Sequence, residues 1–115
     1  IAATESGKTF FLNSATEFVS TLPEPAAGLR FSFIVTAAPS SASYTIVTTA
    51  GANIIKAVGF DADGDAFVVS AAADTITLVD GAAIAGDRVD VICDGTNYFA
   101  YCFCKDKDAI TFSAT

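Results

Sequence analysis

The tract from Asp87 to Cys104, DRVDVICDGTNYFAYCFC, restricts the fold more than any other part of the chain. Val89, Val91 and Cys93 alternate with Arg88, Asp90 and Ile92, the two-residue period of a strand with one buried face. Asp94-Gly95-Thr96-Asn97 follows, residue types that tolerate positive φ or bond their own backbone and so close a hairpin. Tyr98 to Cys104 then returns, with Phe99, Tyr101 and Phe103 on one face and Tyr98, Ala100, Cys102 and Cys104 on the other. A hairpin of this kind is scaffold, and it carries no chemistry by itself.

The remainder reads as further short strands. Leu29 to Thr36 sets Leu29, Phe31, Phe33 and Val35 on one face, and Thr9 to Leu12 and the alternating end of Ala15 to Leu22 are strands as well. Pro23 and Pro25 end the latter in a turn. Tyr44 to Thr49 and Ile54 to Phe60 flank Ala50-Gly51-Ala52-Asn53 and are expected as a hairpin. Ala66 to Ala72 and Asp74 to Val79 are expected as another pair, and Ala109 to Ser113 as a closing strand. Eight to ten short strands about a dozen residues apart, without a helix, predict an all-β fold, an antiparallel β-sandwich or a small β-barrel. The organisation expected is an N-terminal arm, residues 1–8, followed by a single β domain, residues 9–115.

Composition points outward from the fold. Hydrophobic residues make up 52% of the chain and charged residues 17%, which leaves a thin polar coat. No uninterrupted apolar stretch is long enough to span a bilayer as a helix, so the surplus apolar surface is expected to be buried against other subunits. Six basic residues against thirteen acidic ones give a net charge of −7, a field that repels phosphate backbones; neither nucleic acid nor membrane is an expected partner. The chain starts at Ile1 and lacks methionine, as expected of a processed or trimmed chain, and no signal-peptide remnant is recognised before Ala2. Cys93, Cys102 and Cys104 are odd in number. Cys102 lies about 13 Å along the strand from the position paired with Cys93, and Cys102 and Cys104 stand about 7 Å apart with parallel Cβ directions. Free, partly buried thiols are the expectation, in keeping with assembly in a reducing cytoplasm.

The usual catalytic devices are missing. Without histidine the chain cannot build a Ser-His-Asp or Cys-His arrangement. Asp87, Asp90 and Asp94 do not share one strand face, and Cys-x-Cys with one distant cysteine is poor zinc spacing. Asp61, Asp63 and Asp65 around Gly64 superficially resemble a calcium loop, but Gly64 precedes the third aspartate, Ala72 stands where a bidentate glutamate is needed, and the flanks are strands. The three are a weak calcium candidate, and the expected role is a solvated acidic hairpin tip with no cofactor. Phe10, Phe31, Phe33 and Phe103 lie in alternating runs and are expected in the core.

Four stretches carry a resemblance: TLPEPAAGLRFSFIVTAAP (Thr21 to Pro39), YTIVTTAGANII (Tyr44 to Ile55), AAADTITLVDGAAIAGDRVDVICDGTNYFAY (Ala71 to Tyr101) and AITFSAT (Ala109 to Thr115). In this order they resemble a family of small structural proteins of tailed bacteriophages, marine and cyanobacterial ones especially. Members often carry tryptophan where Tyr98 stands and glycine-rich sequence in place of CFCKDKD. The resemblance implies a virion surface component without enzymatic activity, first of all a capsid decoration (cement) protein. Such a protein, assembled in the host cytoplasm, would sit on the outer capsid surface, bridge capsomers and contact the major capsid protein, as a homo-oligomer with a trimer favoured. A trimeric tail fibre or tailspike receptor-binding domain is the alternative, and a carbohydrate-binding module a second one. On this reading residues 1–8 order on a neighbour, and Ile1, Phe10 and Phe11 are the interface candidates.

Overall fold

The computed structural model describes residues 1–13, 18–40, 42–62, 69–106 and 108–114. Ten strands are found among them: β1 (Thr9–Leu12), β2 (Phe18–Thr21), β3 (Arg30–Val35), β4 (Tyr44–Val47), β5 (Ile55–Asp61), β6 (Val69–Ala73), β7 (Thr75–Leu78), β8 (Arg88–Cys93), β9 (Tyr98–Cys104) and β10 (Ile110–Ser113). They form a β-sandwich of a six-stranded sheet, in the order β1-β3-β8-β9-β5-β6, and a four-stranded sheet, β10-β7-β4-β2.

The sheets are mixed. β1 runs parallel to β3, β2 to β4 and β5 to β9, while the other pairs are antiparallel. From β1 to β5 the chain passes alternately between the sheets, so successive returns to one sheet arrive in the same direction. This winding corrects two expectations. β4 and β5 are not a hairpin: they belong to different sheets, joined through a 3-10 turn at Thr49–Gly51 in which Ala50 takes φ 56°. β6 and β7 are not a pair either, because the chain bends at Asp74 from the six-stranded into the four-stranded sheet. Asp74 is buried at this corner, its main-chain N–H donating to Ser113 O at 2.9 Å and its carboxylate accepting from Thr75 Oγ1 at 2.8 Å.

The central hairpin follows the sequence pattern. β8 and β9 pair from Arg88 opposite Phe103 to Cys93 opposite Tyr98. The turn closes because Asp94 Oδ1 accepts from the Thr96 and Asn97 amides at 2.9 and 2.8 Å, while Gly95 takes φ 106°, which disfavours a side chain. Inward residues of both sheets make one core, with Phe31, Phe33, Tyr44, Ile46, Ile76, Leu78, Tyr98 and Ile110 almost wholly buried. Tyr98 donates its buried hydroxyl to Pro23 O at 2.7 Å and so ties β9 to the loop after β2.

Residues 1–8 lie along this domain. The Ile1 ammonium donates to Thr21 O at 3.0 Å, Gly7 N–H to Arg30 O at 2.7 Å, and Lys8 O accepts from Ser32 N–H at 3.2 Å. The segment expected as an arm hydrogen-bonds to its own domain: Gly7 and Lys8 continue the pairing of β1 along β3, and Ile1 reaches the end of β2.

Candidate functional site

The inward and outward sets of the neighbouring strands β5 and β9 carry the signal. Facing the core, Ile55 pairs with Tyr98, Ala57 with Ala100 and Gly59 with Cys102. Facing out, Lys56 pairs with Phe99, Val58 with Tyr101 and Phe60 with Phe103. Apart from the first pair the small residues point in and the large apolar ones point out, the reverse of a sheet with a solvated outer face. The core expectation for Phe103 is therefore corrected: it is 43% exposed and stacks on Phe60, itself 51% exposed, with ring centroids 5.3 Å apart and planes 14° from parallel. Beyond the first rung the packed inner side of this pair holds only small residues, Ala57, Ala100, Gly59 and Cys102, until Asp61 and Cys104 close its end, so the aromatic residues take the other face.

Registers extend this surface across the sheet. One row runs Phe60, Phe103, Arg88, Ile34, Phe11, and the next runs Val69, Val58, Tyr101, Asp90, Ser32, Thr9. A third carries Lys56, Phe99, Ile92 and Arg30. Among these, Phe11, Val58, Phe60, Val69, Ile92, Tyr101 and Phe103 are exposed large hydrophobic residues. The outer face of the four-stranded sheet differs: Thr111, Thr77, Thr45 and Val19 form one row and Ser113, Thr75, Val47 and Thr21 the next, a surface rich in hydroxyls.

Polar groups are set into the apolar face at one place. Asp90 accepts from Ser32 Oγ at 2.8 Å and from Arg88 Nε at 2.9 Å, and these side chains line a depression of about 230 Å³ with Lys8, Arg30 and Tyr101. A second depression, of about 330 Å³, lies beside Phe103 and Ile84. Asp87 is buried there, and burial raises its pKa although the Ile84 and Lys105 amides donate to its carboxylate at 3.0 and 3.3 Å. Cys102 and Cys104 are buried on the inner side of β9, and burial pushes both thiols up to about 12. All three cysteines are free. All three are buried core residues, and Cys102 and Cys104 lack the thiolate character that nucleophilic or metal-binding cysteines need.

Of the residues singled out from the sequence, Phe11 lies on the exposed face at 62% exposure, opposite Ile34. Phe10 points the other way and stacks on Phe33 at 5.4 Å, and Ile1 is half-buried against the core, so neither belongs to this face. Asp61 ends β5, whereas Asp63 and Asp65 lie outside the described residues. Among the described residues no three His, Cys, Asp or Glu side chains are grouped to hold a metal ion. Among the described residues no helix is long and apolar enough to cross a membrane. Sequence reasoning missed Val58, Phe60, Tyr101 and Phe103 as a surface, although alanine, glycine and cysteine at alternate positions of both strands were the available sign. No protein-family model, curated protein or solved structure matches the chain.

Proposed function

We propose that this chain is a structural protein of a bacteriophage virion, a decoration protein that docks on the outer capsid surface through the outer face of its six-stranded sheet. The phage assignment comes from the sequence resemblance, and the observation that carries the docking role is the outward aromatic and apolar set of β5 and β9. Exposed apolar surface of this extent is the usual mark of an interaction site. The role is non-catalytic, in keeping with a chain that has no histidine.

Size bears on how such a face would work. Five spacings between the six strands make it about 24 Å wide, and strands of this length make it about 20 Å tall, hence about 500 Å². A stable interface needs about 800 Å² per partner, so one copy attaches weakly. Homo-oligomers on a repeating shell multiply that contact, which is how a cement protein reinforces capsomers through many modest interactions. The major capsid protein is the partner in this reading.

The test is the copy number per virion, by quantitative mass spectrometry against the major capsid protein. A ratio near that of the major capsid protein supports the decoration role. A few per cent would move the chain to the tail, where the same face would form the contacts of a trimeric fibre domain. Absence from virions would refute both.

A further inference from the structure

Charge on this molecule runs against its own average at one place. Acidic residues outnumber basic ones by thirteen to six in the chain. The exposed acidic side chains lie chiefly in connections: Glu24 after β2, Asp80 after β7, Asp94 in the hairpin turn, Asp106 and Asp108 after β9. Outward positions along the six-stranded sheet show the reverse, with Arg30, Lys56 and Arg88 against Asp90. The depression in that face brings Lys8, Arg30 and Arg88 together around Asp90, Ser32 and Tyr101.

Asp90 is already engaged there. Its Oδ1 accepts from Ser32 Oγ and from Arg88 Nε, and its Oδ2 is 3.1 Å from the same Nε. The two terminal nitrogens of Arg88 have no hydrogen bond among the described residues, and the same holds for the Arg30 guanidinium and the Tyr101 hydroxyl. Among the described residues the Lys8 ammonium reaches only Glu5, at 3.9 Å.

We propose that this depression recognises a carboxylate, and that its occupant is an Asp or Glu side chain displayed beside apolar residues on a protein other than this chain. The inference rests on the same face being a docking surface and names what that surface reads. Guanidinium forks match carboxylates two bonds at a time, and the Tyr101 hydroxyl adds a neutral donor. Closure of an apolar partner over Ile92 and Tyr101 would exclude water and strengthen each of these contacts. A second copy is a poor source of the carboxylate. A net charge of −7 on each copy works against seating a second copy on this face, and Asp94 and Asp106 already accept backbone N–H groups.

The experiment is a ¹H–¹⁵N titration of the intact chain with poly-L-glutamate, a random glutamate–tyrosine copolymer and inorganic phosphate. Shifts should centre on the amides of Lys8, Arg30, Ser32, Arg88 and Tyr101, with the copolymer binding tighter than poly-L-glutamate. Arg30→Gln combined with Lys8→Gln should weaken the copolymer about tenfold at low salt, whereas Lys105→Gln changes it less than about twofold. Shifts spread over all lysines, or equal affinity in the double variant, would overturn the proposal. Phosphate binding the same amides as tightly as the copolymer would overturn it too, by making the site a general anion site. Self-association in sedimentation velocity that Arg30→Gln abolishes would make the occupant a second copy, and overturn it. The assay uses the isolated chain, so its failure is separate from a failure of the virion copy number.

Discussion

Replacing Phe103 by threonine separates folding from docking. Threonine keeps the strand preference of the site, so the change removes a ring and little else. Phe103 is 43% exposed, and with about 200 Å² for a phenylalanine ring and stem, about 90 Å² remains to be covered by a partner. At about 25 cal/mol per Å² that area contributes about 2 kcal/mol to docking, so Phe103→Thr should weaken it about 30-fold. In the free chain the variant loses the stack on Phe60 and part of the ring's buried area, about 1–2 kcal/mol together. A loss of that size lowers the melting temperature of a domain of this length by about 4–8 °C and leaves it folded at 25 °C. The assay is co-sedimentation of the purified chain with capsids stripped of it, beside urea unfolding of the same variant. Thr77→Ser, on the opposite sheet, serves as the control that should decorate normally. If folded Phe103→Thr binds capsids at wild-type affinity, the outer face of the six-stranded sheet is not the docking face.

Three further outcomes test the scaffold. Tyr98→Phe removes the buried bond to Pro23 O and should cost about 1–1.5 kcal/mol, read as a lower urea midpoint at unchanged slope; a midpoint equal to wild type would refute the tie. At pH 8 a thiol reagent should find no fast-reacting cysteine in the native chain and three in urea, because burial holds Cys102 and Cys104 at about 12 and covers Cys93. Asp94 has its pKa lowered, first by the Asn97 amide and then by that of Thr96, so its contribution is present above the ordinary value of 3.8 and is lost as pH falls through the native one. The stability difference between wild type and Asp94→Ala should accordingly be flat at neutral pH and shrink below about pH 4, and a difference that does not change on acidification would argue against the carboxylate cap.

Much of the scaffold was legible because a two-residue period is a local property. Leu29, Phe31, Phe33 and Val35 point inward as their alternation requires, and so do Val89, Val91 and Cys93. Asp94 to Asn97 names its own turn, since Asx bonding and a glycine at positive φ need no distant partner. The missing histidine likewise removes whole classes of site before any fold is known.

Tertiary structure decided which sheet each strand joins and which side of β5 and β9 faces water. A hairpin and a crossover between layers show the same alternation, so the closeness of β4 to β5 and of β6 to β7 in sequence could not reveal that they belong to different sheets. In β9 both faces are apolar, and hydrophobicity alone cannot choose between Phe99, Tyr101, Phe103 and Tyr98, Ala100, Cys102. The choice follows from the neighbour: β5 sets Ala57 and Gly59 beside Ala100 and Cys102 on the inner side. Close packing of two sheets fills the interior volume from all strands at once, and only that shared volume sends the aromatic rings outward.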